Sequence, residues 1–219
     1  MYAFIDSIGG PVVAILLGFS LVATAMILLK FIQIILQLPA KNGSPAQLIK
    51  CLQRNEPKQL ILLAQGQRSS YSQLLGRSVD LLQQNTLSIQ DAHSEIARQA
   101  RSLTQSFYFY LRPLEVIATL APLLGLFGTV LGMIEAFKAM EAAGSQVDPA
   151  VLSGGIWQAL LTTAVGLGVA IPVSLIHSVF ERRAEQKTHQ LQNDLGQVFT
   201  YFASPTNSKL PSVEQLSAS

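Results

Sequence analysis

Hydrophobic residues in this chain fall into three long runs, and the segments between them follow a different rhythm. From Pro11 to Leu29 there is no charged side chain, and the apolar character continues past Lys30 to about Leu38. A second run extends from Val116 to Ala136, with Glu135 near its end, and a third from Ile156 to Phe180, closing on Glu181-Arg182-Arg183. Each is long enough for a helix to cross a bilayer, which takes about 20 mostly apolar residues. The pattern predicts an all-α integral membrane protein with three transmembrane helices. The second and third helices are expected to extend into a helical bundle beyond the bilayer.

Between the first and second runs the period changes. Pro39 and Asn42-Gly43-Ser44-Pro45 carry turn chemistry. From Ser69 to Arg112 there is no proline, and Leu74, Leu75, Leu81, Leu82, Ile89, Ile96 and Leu103 recur at helical spacing. One or two helices are predicted here, the last running straight toward the second span, where Pro113 permits a bend. The third span should continue as a helix through Glu181–Phe202, whereas the Ser/Asn/Pro-rich tail after Pro205 reads as disordered.

Positive charge orients the spans. No Lys or Arg precedes Pro11, whereas residues 38–112 carry nine against four acids. Arg182 and Arg183 follow the third span, and Lys138 stands against Glu141 and Asp148 in the short connection. All three spans then agree on one topology. It comprises an outer N-terminus with the first span (1–38), an inner helical segment (39–112) and the second span (113–137). An outer hairpin (138–155), the third span (156–180) and an inner helix and tail (181–219) complete it. Ala23-Thr24-Ala25 has the form of a signal-cleavage site. The leading segment, however, has Asp6 and no basic residue, and its apolar run exceeds the roughly 7–15 residues of a signal core.

Composition agrees with a membrane location: 49% of the 219 residues are hydrophobic and 13% charged, about half the charge of a soluble domain. The net charge of +2, without any basic run, gives no reason to expect nucleic acid as a partner. Cys51 is the only cysteine. No Ser/His/Asp arrangement, phosphate loop or cofactor motif is visible. Gly166-x-Gly168 lies within a span without a preceding strand, and His93 and His189 stand alone on polar helices. Neither an enzyme, a metal nor a cofactor is expected.

The second and third spans are built differently from the first, which reads as a bulky lipid-facing anchor. Ala118, Pro122, Gly125, Thr129, Gly132 and Ala136 recur at spacings of 4, 3, 4, 3 and 4, along one helical stripe. Ala159, Thr163, Gly166 and Ala170 repeat the device, continuing to Val173 or Ser174, while Gly128 and Gly132 form a small-xxx-small pair. Close packing of membrane helices is the simplest use of such stripes, with Gly125, Gly128, Gly132, Gly166, Pro122 and Pro172 as the packing positions. The hydroxyls of Thr129, Thr162 and Thr163, with Gln158 one turn earlier, add a second possibility, a polar lining for protons, water or a partner's charge. No Asp, Glu, Lys or Arg lies at the centre of a span. Lys30, Glu135 and His177 sit toward span ends, where interfacial placement is expected. An intramembrane carboxylate is the usual proton carrier, so a proton path through this chain would need one from a partner.

Residues 121–134, Ala-Pro-Leu-Leu-Gly-Leu-Phe-Gly-Thr-Val-Leu-Gly-Met-Ile, followed by Ala136-Phe137, resemble the MotA/TolQ/ExbB proton-channel family. So do residues 155–167, Gly-Ile-Trp-Gln-Ala-Leu-Leu-Thr-Thr-Ala-Val-Gly-Leu, continuing to Ala170-Ile171-Pro172. Length and span number resemble the ExbB/TolQ branch. The resemblance implies a bacterial inner-membrane protein with a periplasmic N-terminus and a cytoplasmic C-terminus. It also implies a homopentamer around two helices of an ExbD/TolR-like single-span partner that brings the protonatable Asp. Through a TonB-like protein the complex would use the proton motive force to energise outer-membrane transport. A TolQ-like role in envelope integrity and a non-conducting scaffold remain alternatives. Thr129 and Thr163 match the family's pore-facing threonines, whereas Gln158 stands where many ExbB and TolQ proteins have Glu.

Overall fold

The computed structural model describes residues 10–36, 44–84, 87–143 and 149–204. The residues before Gly10, the Pro39/Asn42/Gly43 turn, the centre of the expected 138–155 hairpin and the tail from Pro205 lie outside the described residues. The order is α1 (Gly10–Leu36), α2 (Pro45–Gln53), α3 (Pro57–Gln65), α4 (Ser70–Gln84), α5 (Ile89–Tyr108), α6 (Leu111–Ala143) and α7 (Pro149–Ala203). No strand occurs among the described residues. Among the described residues three helices are long and apolar enough to cross a membrane, and they coincide with the three runs read from the sequence. The all-α, three-span expectation therefore holds.

The helices begin and end where local chemistry permits. Pro45 and Pro57 each occupy the first turn of their helix, where a missing N–H costs nothing. α2 ends with Asn55 in the left-handed region at φ 63°, a conformation Asn tolerates. The Asn55 N–H then donates to the Leu52 carbonyl and the Glu56 N–H to that of Cys51, each at 3.0 Å, closing a Schellman-type end. Ser88 caps α5: its Oγ accepts from the Asp91 N–H at 3.1 Å and donates to the Asp91 carboxylate at 2.6 Å.

Two boundaries differ from the sequence expectation. The helix before the second span does not run straight into it: α5 stops at Tyr108, and Tyr110 takes φ 48° before α6 begins. Pro113 is the third residue of α6, in its first turn, so it starts the helix rather than bending it. In addition, α6 continues to Ala143 and α7 already begins at Pro149, so helix occupies most of the expected outer hairpin.

The chain divides into two compact units, one drawn from residues 1–32 and 109–182, the other from 33–108 and 183–219. In the first, Val12, Leu16 and Ala23 of α1 join Leu114, Ile117 and Ala121 of α6 and Val169, Ala170 and Val173 of α7 in one apolar cluster. α1 is thus more than a lipid-facing anchor. It buries one face and leaves Leu17, Leu21, Leu28 and Phe31 exposed on the other. In the second unit, Leu48, Leu60, Leu75, Val79, Ile96, Leu191 and Val198 are at most 1% exposed. Burying each such side chain contributes about 1.5–3 kcal/mol.

Candidate functional site

Within the first unit, α6 and α7 meet along a seam of small residues. A methyl group on Gly125 would lie 3.0 Å from the Thr162 carbonyl oxygen and 3.1 Å from the Thr163 Cα, and one on Gly166 would lie 2.7 Å from the Ala121 carbonyl oxygen. Gly128 faces Thr162, Gly132 faces Ala159, and Gly155 faces Ala136. Residue numbers rise on one helix as they fall on the other, so the two run antiparallel. The seam is Ala121, Gly125, Gly128, Gly132 and Ala136 against Gly155, Ala159, Thr162 and Gly166. Spacings of 3 and 4 keep each set on one helical face. Glycine is required at Gly125, Gly128 and Gly166 because backbone or a buried threonine occupies the space of any side chain.

Two hydroxyls cross this seam to one atom. Thr162 and Thr163 each donate to the Gly125 carbonyl at 3.1 Å, and Thr162, buried at 2% exposure, also reaches the Ala159 carbonyl at 2.7 Å. That carbonyl belongs to the stretch of α6 bearing Pro122. Pro122 stays inside the helix, as membrane helices allow when neighbours satisfy the backbone.

The predicted site residues therefore separate. Thr129 does not join the Gly125 carbonyl; its hydroxyl bonds the Leu126 carbonyl of its own helix at 2.6 Å. Gln158 has its amide beside the start of α1, where a methyl group on Gly10 would lie 3.7 Å from the Gln158 Nε2. Gly10 itself has φ 74°, a backbone conformation that favours glycine. Pro122 is half-buried beside the seam, and Pro172 is exposed on α7. The sequence stripes and the contact seam share Gly125, Gly132, Ala136, Ala159 and Gly166. They part at Thr129 and Thr163, where the seam takes Gly128 and Thr162 instead, and the seam also takes in Ala121 and Gly155. The alternation of small residues was visible, but whether Gly128 or Thr129, and Thr162 or Thr163, faces the other helix cannot be ranked without that helix.

Thr129 and Thr163 each follow a seam residue by one position, a rotation of about 100°. In antiparallel helices such rotations from facing positions carry both side chains to the same flank. They also lie at one level, since Gly128 meets Thr162. The opposite flank bears Leu124, Leu131 and Val165, which pack on the cluster that includes α1. α1 thus covers one side of the helix pair, while Thr129 and Thr163 share the other and remain partly exposed.

The ends of the spans also differ from expectation. Glu135 is exposed, but Lys30 is 5% and His177 9% exposed within this unit. Both are therefore buried rather than extended toward an interface. His177 Nδ1 lies 3.9 Å from a Glu181 carboxylate oxygen one turn later.

The sequence profile of the MotA/TolQ/ExbB proton channel family matches residues 62–193, the stretch that contains both sides of the seam. The chain belongs to this family. It is similar to the biopolymer transport protein exbB1 of Vibrio cholerae, at 32% identity over 77% of this chain and 74% of that protein. An ExbB-like protein of Synechocystis sp. is 29% identical over 87% of this chain and 90% of its own length. The Tol-Pal system protein TolQ of Pseudomonas aeruginosa is 36% identical over 41% of this chain and 37% of that protein. Membership of the ExbB-like branch, a multi-pass membrane location and a transport rather than enzymatic family follow from these likenesses and from the three apolar helices.

In the second unit of this family member, polar groups hold helices rather than line a path. The Tyr71 hydroxyl donates to Asp194 at 2.8 Å, tying α4 to α7. Burial raises the Tyr71 pKa above its usual value, with the Asp194 carboxylate acting in the same direction. His93, expected to stand alone, stacks on Phe199 with ring centroids 3.7 Å apart, and Tyr201 bonds Asn55.

Proposed function

We propose that this chain is the channel-forming subunit of an ExbB-like inner-membrane motor that uses proton flow to energise outer-membrane transport. The observation that carries the reading is the pair Thr129 and Thr163, set at one level on the flank that α1 leaves uncovered. A flank with two hydroxyls and no charge suits contact with a protonatable group brought by another chain, because it can solvate the neutral and the charged form without trapping either. The partner in this reading is an ExbD/TolR-like single-span protein with an intramembrane Asp, held inside a ring of copies of this chain, five by family analogy. Protons driven inward neutralise that Asp against the threonines and let the central helices move relative to the ring. About 2.3 kcal/mol is available per charge per 100 mV, enough to bias a step. A TonB-like protein carries the work onward. The N-terminus lies in the periplasm, and α2–α5 with the end of α7 lie in the cytoplasm, as the excess of basic residues in 38–112 supports.

Reconstitution of the purified chain in liposomes, with and without its co-purifying single-span partner, tests this function. Proton uptake that needs the partner, and falls severalfold in Thr163→Val, is the expected result. Equal uptake by the Thr163→Val and Thr129→Val complexes would remove the hydroxyl lining, and an assembly with no partner would leave a scaffold. The similarity to TolQ favours a second reading, in envelope integrity. Loss of the chain separates the two: failed iron-chelate uptake supports the first, and detergent leakiness the second.

A further inference from the structure

The second unit contains a cavity of about 180 Å³ that the channel reading does not use. At roughly 30 Å³ per water it holds about six waters' volume, enough for a small headgroup. Pro45, Leu103, Phe107 and Tyr71 give it an apolar wall, while Lys187, Ser69, Ser70 and the Gln190 amide supply its polar atoms. Three features show an excess of donors over acceptors there. Lys187 is half-buried over the Phe107 ring, 5.7 Å from its centroid, and no carboxylate among the described residues forms an ion pair with it. Burial and the neighbouring Arg183, one turn earlier on α7, both push its pKa down, as expected of a cation without a counter-charge. Ser69 is only 8% exposed, yet its hydroxyl makes no hydrogen bond among the described residues. It immediately precedes Ser70, the first residue of α4, whose leading N–H groups carry the positive end of a 15-residue helix. Asp194, which accepts from the Tyr71 hydroxyl, does not line the cavity, and no other acid among the described residues does.

We propose that this cavity binds a phosphate ester with a small apolar group, Lys187 pairing with the phosphate and Ser69 donating to it. Several donors converging from an ammonium, hydroxyls and a helix start match an anion with three or four acceptor oxygens. The apolar part lies against Phe107 and Leu103. Bound this way, the ligand bridges α4, α5 and α7 and stiffens the second unit. The same chemistry is offered by a soluble phosphomonoester and by a phospholipid headgroup.

The test uses the full chain in phospholipid-free detergent, titrated calorimetrically with phenyl phosphate and with dihexanoyl phosphatidylglycerol. Acetylation of Lys187 is followed in parallel by peptide mass spectrometry. Saturable binding of at least one probe, protection of Lys187 from acetylation, and a loss of about tenfold or more in Lys187→Gln are expected from one charge-assisted bond. Ser69→Ala weakens binding by less. Phenyl phosphate alone would identify a soluble ester as the source, and the phosphatidylglycerol alone a headgroup; either supports the site. Binding of neither probe, binding unchanged in Lys187→Gln, or acetylation of Lys187 unaffected by saturating probe would overturn it. Should Lys187→Gln fail to fold, Ser69→Ala and the protection measurement on the natural chain decide.

Discussion

Where α6 meets α7 the bulkiest side chain in the seam is a threonine; where α2, α3 and α4 pack, the core is Leu48, Leu60 and Leu75. Both regions are helical, but the solvent that would replace the contacts differs. In water, burying a leucine releases apolar surface and stabilises the unit directly. In a bilayer the lipid is as apolar as leucine, so association depends on close approach, backbone contact and hydrogen bonds that lipid cannot offer. The seam therefore has glycine facing backbone and threonine facing carbonyl, while Leu123, Leu126, Leu160 and Leu175 point outward. Exposed leucine in one region and buried leucine in the other follow from one rule.

Leu75→Ala probes the leucine side of the comparison. Leu75 is 0% exposed, so its truncation should destabilise the second unit by about 2–5 kcal/mol, read by amide exchange in α4, with α6 and α7 up to Arg182 unaffected. The reverse manipulation, Gly166→Val, places a methyl group 2.7 Å from the Ala121 carbonyl oxygen. A backbone atom cannot rotate away, so a cost of about 1–3 kcal/mol is expected in a membrane unfolding measurement, with the second unit intact. Stabilisation by this added apolar surface would break the distinction between the regions.

Tyr71→Phe tests whether polar groups in the second unit act as helix ties. It removes the 2.8 Å bond to Asp194 and should cost about 0.5–1.5 kcal/mol, the net value of a hydrogen bond whose half-buried acceptor can turn to water. Burial raises the Asp194 pKa above its ordinary 3.8, and the Tyr71 bond opposes that rise. The folded state then holds the proton more tightly than the unfolded one, so stability should fall as pH rises from about 4 through the raised value. In Tyr71→Phe this fall extends to higher pH; a melting temperature that climbs over that range would contradict the assignment. Thr162→Val is the smallest change, about 0.6 kcal/mol for an interhelical bond in lipid, because the unfolded span finds other partners. Measured beside Thr163→Val, it separates a seam role from a lining role, since only the latter should alter proton uptake.

Much of this was legible in the residues. Charge-free runs of sufficient length identify a span whatever surrounds them, whereas Pro45, read as turn chemistry, opens α2 in the structure. The interruption at Tyr110 was not legible, because a left-handed tyrosine carries no sequence signal of its own. Nor was the burial of Lys30 and His177, which depends on neighbouring helices rather than on distance from a span end. The stacking of His93 on Phe199 joins residues a hundred positions apart, beyond the reach of any local pattern.

By itself the sequence determined that the chain spans a membrane three times, that its second and third spans carry small residues and hydroxyls in place of charge, and that its motifs are those of the MotA/TolQ/ExbB family. These are properties of composition and period, set by how each segment partitions between lipid and water. Only the tertiary structure decided whether Gly128 or Thr129, and Thr162 or Thr163, sits at the centre of the seam, which hydroxyls reach the Gly125 carbonyl, and which flank α1 covers. One residue of helical rotation separates those alternatives, and only the partner helix, with its backbone at contact distance, selects between them.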